Sequence, residues 1–199
     1  MYRFLETIRI EEGRLYNLPF HQARFEQTRA GSFGLDHHPS LERLIKIPEK
    51  LGAGQVRCRV IYGKEVEKIE FEPYQRREIR FIRLVFSDSI TYRYKYADRS
   101  RLKALFDQKG CCDDILIVRK GEITDSYAAN VALWSGREWH TPLHPLLAGT
   151  MRANLLARGA IRTEIITMEI LHRYRKIKLI NAFQSLDEAP ELGTDALIY

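Results

Sequence analysis

The chain is poor in cysteine. Cys58, Cys111 and Cys112 are its three thiols, an odd number that gives no disulfide framework. Two of them are adjacent, and neighbouring cysteines rarely pair with each other. No cysteine or histidine spacing suits a structural metal. Long apolar runs are also missing. None approaches the roughly 18 residues needed to span a bilayer. The opening MYRFLETIRIEEG carries charge too early for a secretory leader. A cytoplasmic protein with no membrane partner is therefore expected. Several catalytic signatures are absent as well: there is no GxGxxG, P-loop, GxSxG or HExxH. The His37-His38 pair has nothing beside it to complete a metal site and fits a solvated loop. Internal repeats and low-complexity segments are absent too.

What is present is an ordinary globular balance. Of 199 residues, 45% are hydrophobic and 29% charged, enough to bury a sizeable core. The net charge of +6 permits nucleic-acid binding in principle. The basic residues are scattered, however, and RYRKIK (Arg173 to Lys178), the densest run, lies between apolar stretches. No nucleic-acid partner is expected, and a mild positive balance favours a small anionic substrate.

Periodicity predicts an α+β chain. FLETIRI alternates as a strand, Glu11 to Gly13 turn, and RLYNL returns. PFHQARFEQTRAGSFG reads as a helix, with Pro19 in its first turn and Gly31 at its end. Along it His21, Arg24, Phe25 and Thr28 recur at three- and four-residue steps. A second helix is expected over Ser40 to Leu51, shortened or kinked by Pro48. Strands follow at Gln55 to Gly63, at VEKIEFEPY and at Ile79 to Ser87. Further on come a helix from Asp98 to Gln108, strand–turn–strand pairs around Lys120-Gly121 and Ser135-Gly136, and a helix from Gly149 to Arg158. Gly159 is its stop. IRTEIITM reads as a strand, EILHRYR as a short helix and KIKLINAF as a strand. An N-terminal α+β lobe over residues 1–90 and a second lobe over 91–199 are expected.

Five segments carry chemistry together. LETIRIEEGRLYNLPFHQARF resembles the entry "FETxRxxxGxxxxLxxHxxRL" of the class IV aminotransferases, the fold-type IV pyridoxal 5'-phosphate (PLP) enzymes. YRYKYADRSRL is similar to their lysine-centred segment, and GEITDSYAANVALW to their "GxVTExxxANLFW". HTPLHPLLAGTMRANLL resembles "TPxxxxxxxGIxR". KIKLINAFQSLDEAP resembles "ADExFxxNALxGxxPV" more loosely. The segments keep the family order over nearly the whole chain.

The resemblance implies a D-amino-acid-aminotransferase-like fold, with a small N-terminal α/β sandwich lobe and a C-terminal pseudo-barrel lobe. It implies PLP as cofactor and a homodimer. Lys95 matches the Schiff-base lysine, a catalytic amine that must lose its proton to react. Tyr92, Tyr94 and Tyr96 around it predict a strand end facing a pocket. Arg24 matches the phosphate-binding arginine, whose planar fork suits a phosphate. Asp125, thirty residues after Lys95, stands where the family has a glutamate against the pyridine nitrogen. The substitution keeps the carboxylate one methylene shorter. The amides of Thr150 and Met151 at a helix start and the Thr150 hydroxyl are expected as phosphate donors, with Ser126 as a further candidate. Asn181 and Ala182 match positions at the cofactor edge.

Two departures bear on activity. The chain starts about twenty residues later than the family pattern and lacks its "DxGxxxGD" segment. Asp125 replaces glutamate. The local run KYADR and the stretch SYAAN resemble aminodeoxychorismate lyases, and Ser100 stands where branched-chain transaminases carry tyrosine. The resemblance thus implies release of pyruvate from 4-amino-4-deoxychorismate to leave 4-aminobenzoate, a step of folate biosynthesis. An amino-acid aminotransferase (branched-chain or D-amino acid) and a non-catalytic PLP-binding remnant are the alternatives. Arg93 and Arg99 are candidates for attracting an acidic substrate.

Overall fold

A computed structural model describes residues 2–49, 51 and 54–199. The chain divides into two units, Met1–Arg76 with Tyr94–Asp98, and Arg77–Arg93 with Arg99–Tyr199. Lys95, placed from the sequence in the second lobe, falls in the first unit.

In the first unit β1 (Phe4–Glu11) turns through Glu12 and Gly13 into β2 (Arg14–Leu15). Both turn residues have positive φ, 50° and 71°, the geometry that matches strand twist in a tight hairpin. Helix α1 (Leu18–Phe33) has Pro19 in its first turn and stops at Gly34, not at the expected Gly31. Gly34 adopts φ 65° and its N–H bonds Ala30 O at 2.9 Å. Helix α2 (Leu41–Leu44) is one turn, capped by Ser40. The longer helix expected through Leu51 ends here because Ile45 is already extended, and β-branched Ile45 and Ile47 with Pro48 favour that conformation. Position 50 of that expected helix lies outside the described residues. Strands β3 (Val56–Tyr62) and β4 (Val66–Pro73) complete an antiparallel sheet ordered β2-β1-β3-β4 among the described residues. Phe4, Ile8, Ile10, Phe25, Leu41, Val56, Cys58, Val60 and Tyr62 form its core. Residues of one parity share a strand face. Glu6 is therefore on the core face with Phe4, Ile8 and Ile10, and it is fully buried.

The second unit carries a larger mixed sheet. β5 (Ile82–Phe86) is followed in sequence by α3 (Ser100–Phe106), which continues as a 3-10 turn to Lys109. β6 (Asp114–Arg119) then lies parallel to β5. A turn at Lys120 and Gly121, both with positive φ, leads into β7 (Glu122–Ser126). β8 (Asn130–Trp134) and β9 (Trp139–Pro142) continue antiparallel. Helix α4 (Thr150–Ala157) connects β9 to β10 (Arg162–Glu164), a parallel neighbour that needs such a crossover. β11 (Lys176–Ile180) pairs with β8 and with β12 (Leu192–Gly193), and β13 (Leu197–Ile198) pairs with β5. EILHRYR holds a 3-10 turn at Leu171–Arg173 instead of an α-helix. From Ile115 to Val118 strand β6 is apolar and buried on both faces, which gives it the continuous run ILIV.

The fold is mixed α+β. Among the described residues no helix is long and apolar enough to cross a membrane. Leu116 lies in the middle of β6 with no exposed surface. Leu116→Ala is expected to cost about 2–5 kcal/mol of stability, read as a lower urea midpoint at unchanged slope.

Candidate functional site

The chemistry of the second unit gathers around Asp125. It lies near the end of β7, opposite Asn130 at the start of β8. Its Oδ1 accepts from Asn130 Nδ2 at 2.7 Å, and its Oδ2 from Leu147 N at 2.9 Å. Asn130 Nδ2 also donates to Leu147 O at 2.8 Å. A primary amide nitrogen has two hydrogens, and both are used here. One side chain thus ties β8, the carboxylate of β7 and the loop before α4. Burial pushes the Asp125 carboxyl up to about 6, against the bonds from Leu147 and Asn130 and the charge of Arg152. A cationic N–H is the complement to such a buried acid.

The loop then passes Gly149 into α4. A Cβ at Gly149 would stand 1.9 Å from Asn130 Oδ1, so only glycine lets the backbone pass this close. No side chain caps the start of α4. Thr150 is buried there. Among the described residues, the Ser126 hydroxyl is buried with no hydrogen-bond partner, as are Thr141 Oγ1 and Arg152 Nε. Arg152 Nη2 bonds Pro142 O at 2.8 Å. The buried hydroxyls of Ser126 and Thr141, beside a helix start that carries no side-chain cap, are the donor set a phosphate ester requires. The acid and these donors fit PLP.

Not every expected residue presents its side chain this way. Met151 packs against the cluster of Ala132, Leu155 and Ile180, so its amide is the part suited to a phosphate. Asn181 follows the residue paired with Asn130, but its Oδ1 accepts from Phe183 N at 2.9 Å and shapes its own turn. Ala182 lies in that turn, half-buried. Arg99 donates to Tyr127 O at 2.6 Å and lies over the Tyr127 ring at 4.2 Å, bracing the segment just after Asp125 and Ser126.

In the first unit Arg24 is gripped by Glu6. Arg24 Nε bonds Oε1 at 2.9 Å and Nη2 bonds Oε2 at 2.6 Å. His21 Nδ1 lies 2.6 Å from Oε2. Burial raises the Glu6 carboxyl, but Arg24 and the hydrogen bonds from His21 and Arg24 outweigh it and hold it at about 2. Glu6 is therefore ionised, and His21 is the donor in their bond. Burial lowers the His21 pKa, Glu6 opposes this, and the charges of Arg24 and Lys95 lower it further. Lys95 is thus near His21. Its carbonyl accepts from Leu5 N at 2.8 Å, and Tyr96 bridges to Phe4. Lys95 sits on a non-strand segment beside β1, half-buried, instead of the expected strand end.

Sequence reasoning passed over Glu6, Asn130 and Arg152. Signals existed for all three: the parity of FLETIRI puts Glu6 on the core face, and Asn130 and Arg152 lie inside matched segments. Neither parity nor a motif says which groups bond.

No protein-family profile matches the chain. It is 38% identical over 188 residues to an uncharacterised protein of Haemophilus influenzae, covering 94% of this chain and 100% of that one. The crystal structure of a candidate 4-amino-4-deoxychorismate lyase of Haemophilus somnus is similar with TM-score 0.85 and 35% identity, covering 94% of this chain and 98% of that one. A candidate amino-acid aminotransferase of Mesorhizobium loti is similar in fold, with TM-score 0.82, 20% identity and 100% of each chain covered.

The two buried acids have opposite pH signatures. Asp125 binds its proton more tightly when folded than at its ordinary 3.8. Its contribution to stability is full below that value and is lost as pH rises through about 6. Asp125→Asn should remove about 3 kcal/mol of that pH dependence, measured by denaturation across the window. Glu6 contributes above its ordinary 4.5, and this is lost as pH falls through about 2. Glu6→Gln should cost about 3–5 kcal/mol at neutral pH, with the deficit shrinking in acid. Gly149→Ala should displace Asn130 and cost about 1–3 kcal/mol, read as a lower melting temperature.

Proposed function

The chain belongs to the fold-type IV PLP-dependent enzyme family, and from that premise we propose that it is a lyase converting 4-amino-4-deoxychorismate to 4-aminobenzoate and pyruvate. The similarity to the Haemophilus somnus protein along nearly both full lengths carries this reading. The buried acid with its fixed donors supports the cofactor.

Bound PLP supplies an electron sink for the carbon that bears the substrate amine. Asp125 would hold the cationic ring N–H, and its bonds from Asn130 and Leu147 hold the carboxylate in one orientation. Ser126 Oγ and the amides of Thr150 and Met151 would hold the phosphate, and the family resemblance assigns Arg24 to the phosphate as well. Lys95 would anchor the cofactor through Nζ and, once freed by the substrate amine, would hold and move a proton as a general base and acid. Glu6 orients Arg24. Asn181 and Ala182 border the cofactor through their shared turn. The substrate is a small anionic amine, the assembly a homodimer, and the setting the cytoplasm.

The test is coupled detection of pyruvate from enzymatically made aminodeoxychorismate, beside a panel of amino acids with 2-oxoglutarate. Pyruvate and 4-aminobenzoate are expected. Lys95→Ala should abolish both products and the yellow colour of the bound coenzyme, and Asp125→Ala should slow turnover about a hundredfold. Keto acids from the panel without pyruvate from aminodeoxychorismate would make the protein an aminotransferase. Colour without turnover on either would leave a binding protein.

A further inference from the structure

The turn between β7 and β8 is held from outside itself. Ser126 N donates to Ala129 O at 2.9 Å, so the loop proper is Tyr127 and Ala128. The ladder of β6 with β7 ends where Leu116 stands opposite Ser126. Beyond that pair a side chain takes over. Asp114, at the start of β6, accepts through Oδ1 from Tyr127 N at 3.3 Å and from Ile115 N at 2.8 Å. Arg99 Nη2 donates to Tyr127 O at 2.6 Å. The Tyr127 ring meets the Arg99 guanidinium at 4.2 Å and the Phe106 ring of α3 at 4.3 Å. Amide, carbonyl and ring of one loop residue are thus each engaged, and all of these groups belong to the second unit.

Asp114 is a poor choice for stability alone. It is 3% exposed. Burial pushes its carboxyl up, against the bonds from Ile115 and Tyr127 and the charges of Arg77 and Arg99. Its Oδ2 faces Arg77 Nη2 at 3.3 Å, on a side chain that is itself half in solvent. A buried carboxyl paired in this way adds little to the folding free energy. What it fixes is geometry. Tyr127 follows Ser126 directly, and the same turn carries the chain from Asp125 to Asn130, whose side chains bond. A shift of Tyr127 would move both ends of that bond.

We propose that Asp114 is a positioning residue: its carboxylate, with Arg99 as the opposing jaw, clamps Tyr127 and through it holds Asp125 and Ser126 in place for the coenzyme. This rests on the PLP reading above. Asp114 lies outside the segments that resemble the family, so its role comes from the contacts themselves.

The test compares wild type with Asp114→Ala, Asp114→Asn and Arg99→Met. Asp113→Ala is the control, since Asp113 accepts instead from the Arg80 and Phe81 amides just before β5. Amide hydrogen exchange of the coenzyme-free proteins reads the turn, and titration with PLP followed by absorbance reads the site. Asp114→Ala should speed exchange at residues 125–130 about tenfold or more and weaken PLP binding by a similar factor. Asp114→Asn keeps an acceptor oxygen and should stay within about threefold of wild type in both. Arg99→Met should follow Asp114→Ala, and Asp113→Ala should leave both readouts unchanged. If Asp114→Ala fails to fold, Asp114→Glu, which displaces the acceptor by one methylene, takes its place with the same expected losses. Unchanged exchange at residues 125–130 overturns the proposal, as does faster exchange there with unchanged PLP affinity. So does Asp114→Asn binding as weakly as Asp114→Ala, or an equal loss in Asp113→Ala. A wild type that takes up no PLP overturns the coenzyme reading instead, and the exchange data still judge the clamp separately.

Discussion

The amide of Asn130 organises the second unit's site. Its two hydrogens go to Asp125 and to the Leu147 carbonyl, and its oxygen faces Gly149 so closely that a side chain there is excluded. Strand end, loop and helix start are thereby placed by one planar group. Loss of any of the three contacts loosens the others, because an amide plane has one orientation that serves them all. The short carboxylate at Asp125 is compatible with this arrangement, since both of its oxygens are fixed from the side of the protein.

The two buried acids show how environment sets protonation. Glu6 and Asp125 are both sequestered from water. Glu6 faces a bidentate guanidinium and a histidine and stays ionised. Asp125 receives neutral donors, with Arg152 acting only at a distance, and its proton is held to about 6. Charged partners offset desolvation in the first case, and neutral dipoles fail to do so in the second. An acid of the second kind is stabilised by a cationic ligand, whereas one of the first kind holds its arginine in place.

Parts of the candidate site are legible in the sequence as local signals. The segments holding Asp125, Ser126, Gly149 and Thr150 carry glycine, short polar residues and turn chemistry at set intervals, features that survive in one dimension. Helix α4 and the turn at Lys120-Gly121 follow from the same local signals. Other features were not legible. Lys95 lies in an alternating tyrosine stretch that reads as a strand, yet tertiary pairing with β1 leaves it in an irregular segment. The helix expected after Ser40 stops after one turn, because β-branched residues and Pro48 outweighed its apolar spacing. Asn181 reads as a site group by position, and its side chain closes its own turn.

By itself the sequence determined the α+β class, the family and the residue types of the candidate site, because periodicity, glycines and motif order are properties of the chain read along its length. Only the tertiary structure decided that Glu6 grips Arg24, that Asn130 locks Asp125, and that Asp114 takes the Tyr127 amide. These depend on which groups from distant segments meet away from water, where the strength of every charge and hydrogen bond is set by its neighbours.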